Sequence, residues 1–269
     1  MGQDLREDKF DYCADLVKSA RPERFLSLQF ANPSLRQKLL AIAAFEVELA
    51  HIADHVTDPH LGQMRLQFWR EGLADIAKGA SSRAHPVMQS MSDVFAKQAV
   101  VLAGDDMDRL FGALAESYFP DRVWSIERAL DHFQKIEMPF LSLSLSLIMD
   151  EEVLAEGGAM AERSILQKAG RARAVKAYLF HLLASAPNGL AANFQASLPS
   201  GPEVITALQE QWKSLLPALN GAPSKLMPVL AELSHIAPWL KRAARHGAGK
   251  GGLTTHPAKL FWTIISGRF

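Results

Sequence analysis

Residues Ala41 to Leu73 read AIAAFEVELAHIADHVTDPHLGQMRLQFWREGL, and the fold follows from how this stretch divides. Its first part is a helix that apolar residues surround rather than stripe. From Leu35 to Ala53, the residues Leu39, Leu40, Ile42, Ala43, Phe45, Val47, Leu49, Ala50 and Ile52 fall on most sides of the helix, the pattern of one placed centrally. Asn32-Pro33-Ser34 precedes it, with Ser34 expected as the cap. Asp58-Pro59 closes it, because a residue before proline disfavours the α conformation. A second helix is expected from about Gly62 to Ala77, stopping near Gly79.

Outward from this pair, helical spacing continues roughly over 86–103, 105–117, 124–149, 159–186, 202–217, 224–233 and 256–266. The segment LSLSLSLIM, Leu141 to Met149, alternates like a strand. It has no strand partner elsewhere, and buried helical serines can bond back to carbonyls one turn earlier, so it reads as helix. The expectation is an all-α chain of eight or more helices forming one domain over 1–269.

Lys plus Arg number 29 and Asp plus Glu number 29, a balance that argues against wholesale nucleic-acid binding. The basic, glycine-rich Lys241–Lys250 (KRAARHGAGK) reads as a loop. A lone Cys13 rules out an internal disulfide and a Cys-based zinc site, and fits a reducing compartment. The start, MGQDLREDKFDYCADL, lacks the apolar core and cleavage pattern of a signal peptide, and Arg6 stands where a myristoylation signal needs Ser or Thr. No run approaches the length of a membrane span. A soluble, cytoplasmic protein is expected.

Ala44-Phe45, the helix around it, and Arg65-Leu66-Gln67-Phe68-Trp69-Arg70 with Leu73 together resemble the squalene/phytoene synthase family and its R-L-x-x-W-R-x-x-L signature. His85-Pro86-Val87 fits the family's usual start to the next helix. The resemblance is clearest over 21–198 and implies an isoprenoid-synthase-like helical bundle around a central cavity. Enzymes of this family need two aspartate clusters facing each other across that cavity. The diphosphate leaving group is highly charged, and Mg²⁺, a hard cation that takes oxygen ligands, neutralises it. Carboxylates four residues apart on a helix share a face and can address one metal cluster.

Against that pattern, acids are missing. Counted without a gap from Ala44-Phe45, the five positions of the first Asp-Asp-x-x-Asp motif read Ala50-His51-Ile52-Ala53-Asp54. A register one turn later gives Asp54 and Asp58, correctly spaced but at the helix end beside Pro59. The gapless register is preferred, because packing fixes Phe45. Asp54 and Asp58 are thus the candidate remnants and the candidate metal ligands; each also reads as an ordinary surface or helix-terminal carboxylate. In the second motif, running from Gly170 to Ser185, Ala174 and Ala177 fall where the family's Gln and Asn stand, and His181 and Ser185 fall where its aspartates stand. No carboxylate occurs between Glu162 and Glu203. A neutral histidine and a serine cannot replace two ionised aspartates on Mg²⁺, though His181 also reads as a hydrogen-bonded core residue.

Cations are present instead. Arg65 can contact a diphosphate or another anion bidentately, or pair with Asp54 or Glu48. Arg171, Arg173 and Lys176 place a basic face where an acidic one is expected, which favours an anion over a metal. His51 and His55 share a helix face but lack a clear third metal ligand.

Within the family, FEVELAHIADHVTDPHLGQMRLQFW looks most like the branch that has a degraded aspartate pair and assists early assembly of respiratory complex I, NADH:ubiquinone oxidoreductase. The resemblance implies a non-catalytic scaffold or assembly factor that binds a protein partner, needs no cofactor, and retains an isoprenoid-binding cavity. The alternative is an active Mg²⁺-dependent transferase joining prenyl diphosphates head to head. It would use Asp54 and Asp58 and further acids in the second half, where Asp105, Asp106, Asp108 and Asp131 lie outside the motif positions. A third reading is a lipid binder without turnover. The terminal HPAKLFWTIISGRF, with Leu260, Phe261, Trp262, Ile264 and Ile265, offers an apolar patch to a partner or to the inner face of a membrane, or docks on the core.

Overall fold

In the computed structural model, described for residues 4–96, 102, 104–120, 123–148, 158–183, 188–246, 257–266 and 268–269, the apolar run becomes a central helix. The first helices in chain order are α1 (Asp4–Ala20), α2 (Pro22–Leu28), α3 (Pro33–His55), α4 (Pro59–Ala77), α5 (Pro86–Val94) and α6 (Asp105–Tyr118). Then come α7 (Ile126–Ile148), α8 (Gly158–Leu183), α9 (Gly189–Ser197), α10 (Pro202–Asn220), α11 (Met227–Leu230), α12 (Ile236–His246) and α13 (Pro257–Ser266). No strand occurs among the described residues.

Helix α3 buries Leu39 through Phe45, Val47, Leu49 and Ile52, and α1, α2, α4, α5, α7 and α9 pack around it. Its cap is Asn32 rather than Ser34: the Asn32 side-chain oxygen accepts from the Leu35 N–H at 2.9 Å. Pro33 explains the difference, since its fixed φ and missing N–H suit the first helical position and move the cap ahead of it. The same logic starts α4 at Pro59 rather than Gly62, with Asp58 as its cap. His85 caps α5, its Nδ1 accepting from the Val87 N–H at 3.3 Å, which gives the His-Pro pair a helix-starting role. Gly79 takes the left-handed φ of 74° that turns the chain after α4.

The period-2 segment is helical over 141–148. Ser144 Oγ donates to the Phe140 carbonyl and Ser146 Oγ to the Leu143 carbonyl, both at 2.8 Å. Met149 lies outside the described residues. Four helices, α1, α2, α9 and α12, were not expected. Helix α12 takes in Lys241–His246, read from sequence as loop, and only 247–250 of that basic segment lie outside the described residues. The helix expected over 224–233 is broken into 3-10 turns at Ser224–Leu226 and Ala231–His235 flanking α11, where Pro228 removes a backbone donor. Helix α5 ends at Val94, and residues 97–101 and 103 of the longer helix expected there lie outside the described residues.

Two glycines set the helix spacing around the interior. A Cβ on Gly170 would sit 2.0 Å from Met138 Sδ, so α7 and α8 cross closely there. Gly189, at φ 60°, approaches the end of α3 so tightly that a Cβ would lie 2.6 Å from the Val56 carbonyl oxygen. The following Leu190 N–H donates to that same oxygen at 2.7 Å, fixing the end of α3 against α9. No helix among the described residues is long and apolar enough to cross a membrane.

Candidate functional site

The space these helices leave is a cavity of about 150 Å³. Helix α3 contributes Glu46, Leu49, Ala50, Ala53 and Asp54, a run of about 12 Å along its axis at 1.5 Å per residue. Helix α8 contributes Arg173, Lys176, Ala177, Phe180 and His181 over a similar length. Tyr118 and Ser117 come from α6, Phe133, Ile136, Glu137 and Phe140 from α7, and Leu190 and Phe194 from α9. The two motif helices therefore face one cavity, with Ala50, Asp54, Ala177 and His181 all on its wall.

One end of the cavity is ionic. Glu232, from the 3-10 turn after α11, is held by Lys176 Nζ at 2.6 Å, by Arg173 Nη2 at 2.9 Å and by Arg24 Nη2 at 2.9 Å. Lys176 also donates to Glu23 at 2.9 Å, and Arg24 donates to Glu46. Glu137 lies 3.8 Å from Arg173 and 3.9 Å from Arg24, beyond hydrogen-bonding range. Burial alone would raise the pKa of Glu232, but Arg24, Lys176 and Arg173 outweigh it and hold that carboxyl well below the usual range. Burial, then the charge of Glu46, pushes Glu137 up to about 7 despite its two arginines. One carboxylate is thus firmly ionised, and its neighbour titrates near neutrality.

The other end is aromatic and weakly polar. Asp54 is exposed at the rim. His181 faces the cavity half-buried, stacked on Phe133 at 5.2 Å between ring centroids and edge-on to Phe194 at 5.7 Å. Burial first, then the charge of Arg21, pushes its pKa down to about 4, so the imidazole is neutral at pH 7. Its backbone carbonyl accepts from Gln195 Nε2, while its ring nitrogens make no hydrogen bond among the described residues. Arg21 lies 4.4 Å over the face of Phe180 and donates to the Ala20 carbonyl at 3.2 Å. Burial and the charge of Asp54 both raise the Tyr118 hydroxyl.

The remaining sequence candidates lie apart from this cavity. Asp58 is exposed and caps α4, its Oδ1 accepting from the Leu61 N–H at 2.9 Å. Arg65 is exposed on the opposite side of α3, beside His51, His55 and His85 in a surface pocket of about 260 Å³. It pairs with neither Asp54 nor Glu48; Glu48 instead accepts from the Tyr12 hydroxyl at 2.8 Å. Arg171 points away from Arg173 and Lys176, bonded to Glu127 at 2.6 Å and Asp131 at 2.7 Å. Ser185 lies outside the described residues. Among the described residues no three His, Cys, Asp or Glu side chains converge as a metal-binding group. Trp69 is core, packed 5.6 Å from Phe45, whereas Phe68 is part-exposed. In α13, Leu260 and Thr263 are buried and Trp262 is 64% exposed; the side chains of Phe261 and Ile265 lie outside the described residues.

Arg173 and Lys176 were legible as candidates in the sequence; Glu23, Arg24, Glu46, Glu137 and Glu232, which share the ionic end with them, were not. The available signal was Glu46, a charge set inside the apolar run of α3.

Comparison with known proteins follows the same lines. The sequence profile described as squalene/phytoene synthase matches residues 17–176. A solved dehydrosqualene synthase in complex with ligand superposes with a TM-score of 0.62 at 11% identity, covering 97% of this chain and 96% of that one, which establishes an isoprenoid-synthase-like helical fold. NADH dehydrogenase (ubiquinone) complex I, assembly factor 6, from Homo sapiens is 35% identical over 65 residues, 24% of this chain and 20% of that protein. The Bos taurus protein is 37% identical over 65 residues with the same coverage, and the Rattus norvegicus protein 33% over 69 residues, 26% and 21%. The matched segment spans about a fifth of the length of these relatives.

Proposed function

The chain belongs to the squalene/phytoene synthase family, and from that premise we propose that it is a non-catalytic member acting as a scaffold or assembly factor for respiratory complex I. The observation that carries the non-catalytic part is the donor set of the cavity. Of the positions matched to the two aspartate motifs, Ala50 and His181 offer no carboxylate, and Asp54 offers one at the rim. The acids deeper in are bonded to cations or face them: Glu46 to Arg24, Glu23 and Glu232 to Lys176, and Glu137 opposite Arg173. These residues do not fit a cluster of Mg²⁺ ions, which needs several free oxygen ligands beside the diphosphate.

The assembly role rests on the partial likeness to complex I assembly factor 6 and on family membership. A protein partner, an early assembly intermediate of the complex, is part of the proposal, as is contact of the exposed Trp262 with that partner or a membrane surface. Deleting the gene in its parent organism tests this. The account expects loss of assembled NADH:ubiquinone oxidoreductase on native gels, restored by the wild-type chain and equally by Asp54→Ala. Normal assembly in the deletion strain would overturn it.

A further inference from the structure

The cavity remains open although its metal ligands are missing, and its chemistry specifies an occupant. At the ionic end Arg24 pairs with Glu46 and Glu232, Lys176 with Glu23 and Glu232, and Arg173 with Glu232 through Nη2 alone. Arg21 is held over Phe180 and by the Ala20 carbonyl. The wall's cations Arg21, Arg24, Arg173 and Lys176 are matched in number by Glu23, Glu46, Asp54 and Glu137, with Glu232 behind them, so the wall holds no excess positive charge to draw an anionic head group. A hydrocarbon alone would leave the ring nitrogens of His181 unmatched, which has a cost in a site walled by Phe133, Phe180 and Phe194. A neutral imidazole carries one N–H donor and one lone pair, so it can donate to a carbonyl or exchange both roles with a hydroxyl.

We propose that this cavity binds an uncharged amphiphile, without metal, placing a hydroxyl or carbonyl oxygen on His181 and a compact apolar group against Phe133, Phe194 and Ala177. Asp54 at the rim is exposed, and a longer chain would extend past it. This rests on the non-catalytic reading of the cavity and adds the ligand's charge state and polar contact, which that reading leaves open.

The test uses protein labelled with ¹⁵N in histidine, and follows the His181 ring by NMR during titration. The probes are 3-methyl-2-buten-1-ol, its near-isosteric hydrocarbon 2-methyl-2-pentene, and 3-methyl-2-butenyl diphosphate with Mg²⁺. The expected result is a saturable shift of His181 by the alcohol, with affinity about 2- to 10-fold above the hydrocarbon, the range one hydrogen bond provides. In His181→Phe that preference disappears while both probes still bind, followed through neighbouring phenylalanine signals. Ala177→Leu, whose larger side chain fills the cavity, blocks both probes in protein that still melts cooperatively. Equal affinity for alcohol and hydrocarbon in the wild type, or no shift of His181 up to the alcohol's solubility limit, would overturn the inference alone. Mg²⁺-dependent binding of the diphosphate would overturn the non-catalytic reading beneath it.

Discussion

Lys176 on α8 donates to Glu232 at 2.6 Å, joining residues 56 positions apart across the ionic end of the cavity. Glu232 is 1% exposed and is the common partner of Lys176, Arg173 and Arg24. Removing its charge leaves three buried cations short of a carboxylate. Glu232→Gln is expected to cost about 3–5 kcal/mol, the range for breaking a buried ion pair from one side. Urea unfolding at pH 7 measures it. Lys176→Met, which leaves Glu232 with both arginines, should cost less.

Glu137 gives a pH dependence of the opposite sign to most carboxylates. Its folded pKa, pushed up to about 7 by burial and then by Glu46, lies above the unfolded value near 4.3. Between those values the folded state binds more protons than the unfolded one, so this group's contribution is full below about pH 4.3 and is lost as pH rises through 7. Glu137→Gln should therefore gain stability relative to wild type as pH is raised from 5 to 8. Denaturant midpoints of both proteins at the two pH values decide the matter, and a difference that stays constant would contradict it.

His181 acts in the reverse direction. Its folded pKa of about 4 lies below the unfolded value near 6.5, so the stability it contributes is full above 6.5 and is lost as pH falls toward 4. The Phe variant lacks that term, and its melting temperature should fall less than the wild type's between pH 7 and pH 4.5. The two windows overlap, so only the single variants separate these opposing slopes.

Asp58 separates a cap from a metal ligand. Its Oδ1 accepts the Leu61 N–H, and Asn can accept the same bond without a charge. Asp58→Ala should cost about 1 kcal/mol and Asp58→Asn close to nothing in thermal unfolding.

Why the sequence revealed the fold more readily than the site is visible in particular residues. Phe45 and its apolar neighbours mark α3 because burial repeats with helical period, and Asp58-Pro59 marks the junction because proline acts locally. Helix α9 gave no such signal. Its nine residues are too few for a periodic stripe, and its start depends on Gly189 reaching the Val56 carbonyl from 133 positions away in the chain. Asp54 and His181 could be placed on one cavity from motif spacing. The ionic end could not, because Arg24, Glu46, Glu137, Arg173 and Glu232 come from five separate elements and only tertiary packing unites them. The same gap made Arg171 look equivalent to Arg173, two residues away but on the other side of α8.

The most direct test of the central claim is diphosphate release from farnesyl and geranylgeranyl diphosphate by the purified, folded chain with and without Mg²⁺. The account predicts no release above the protein-free rate under either condition, with Asp54→Ala indistinguishable from wild type. Release that requires Mg²⁺ and vanishes in Asp54→Ala would contradict it, and would make the exposed carboxylate at the cavity rim a catalytic metal ligand.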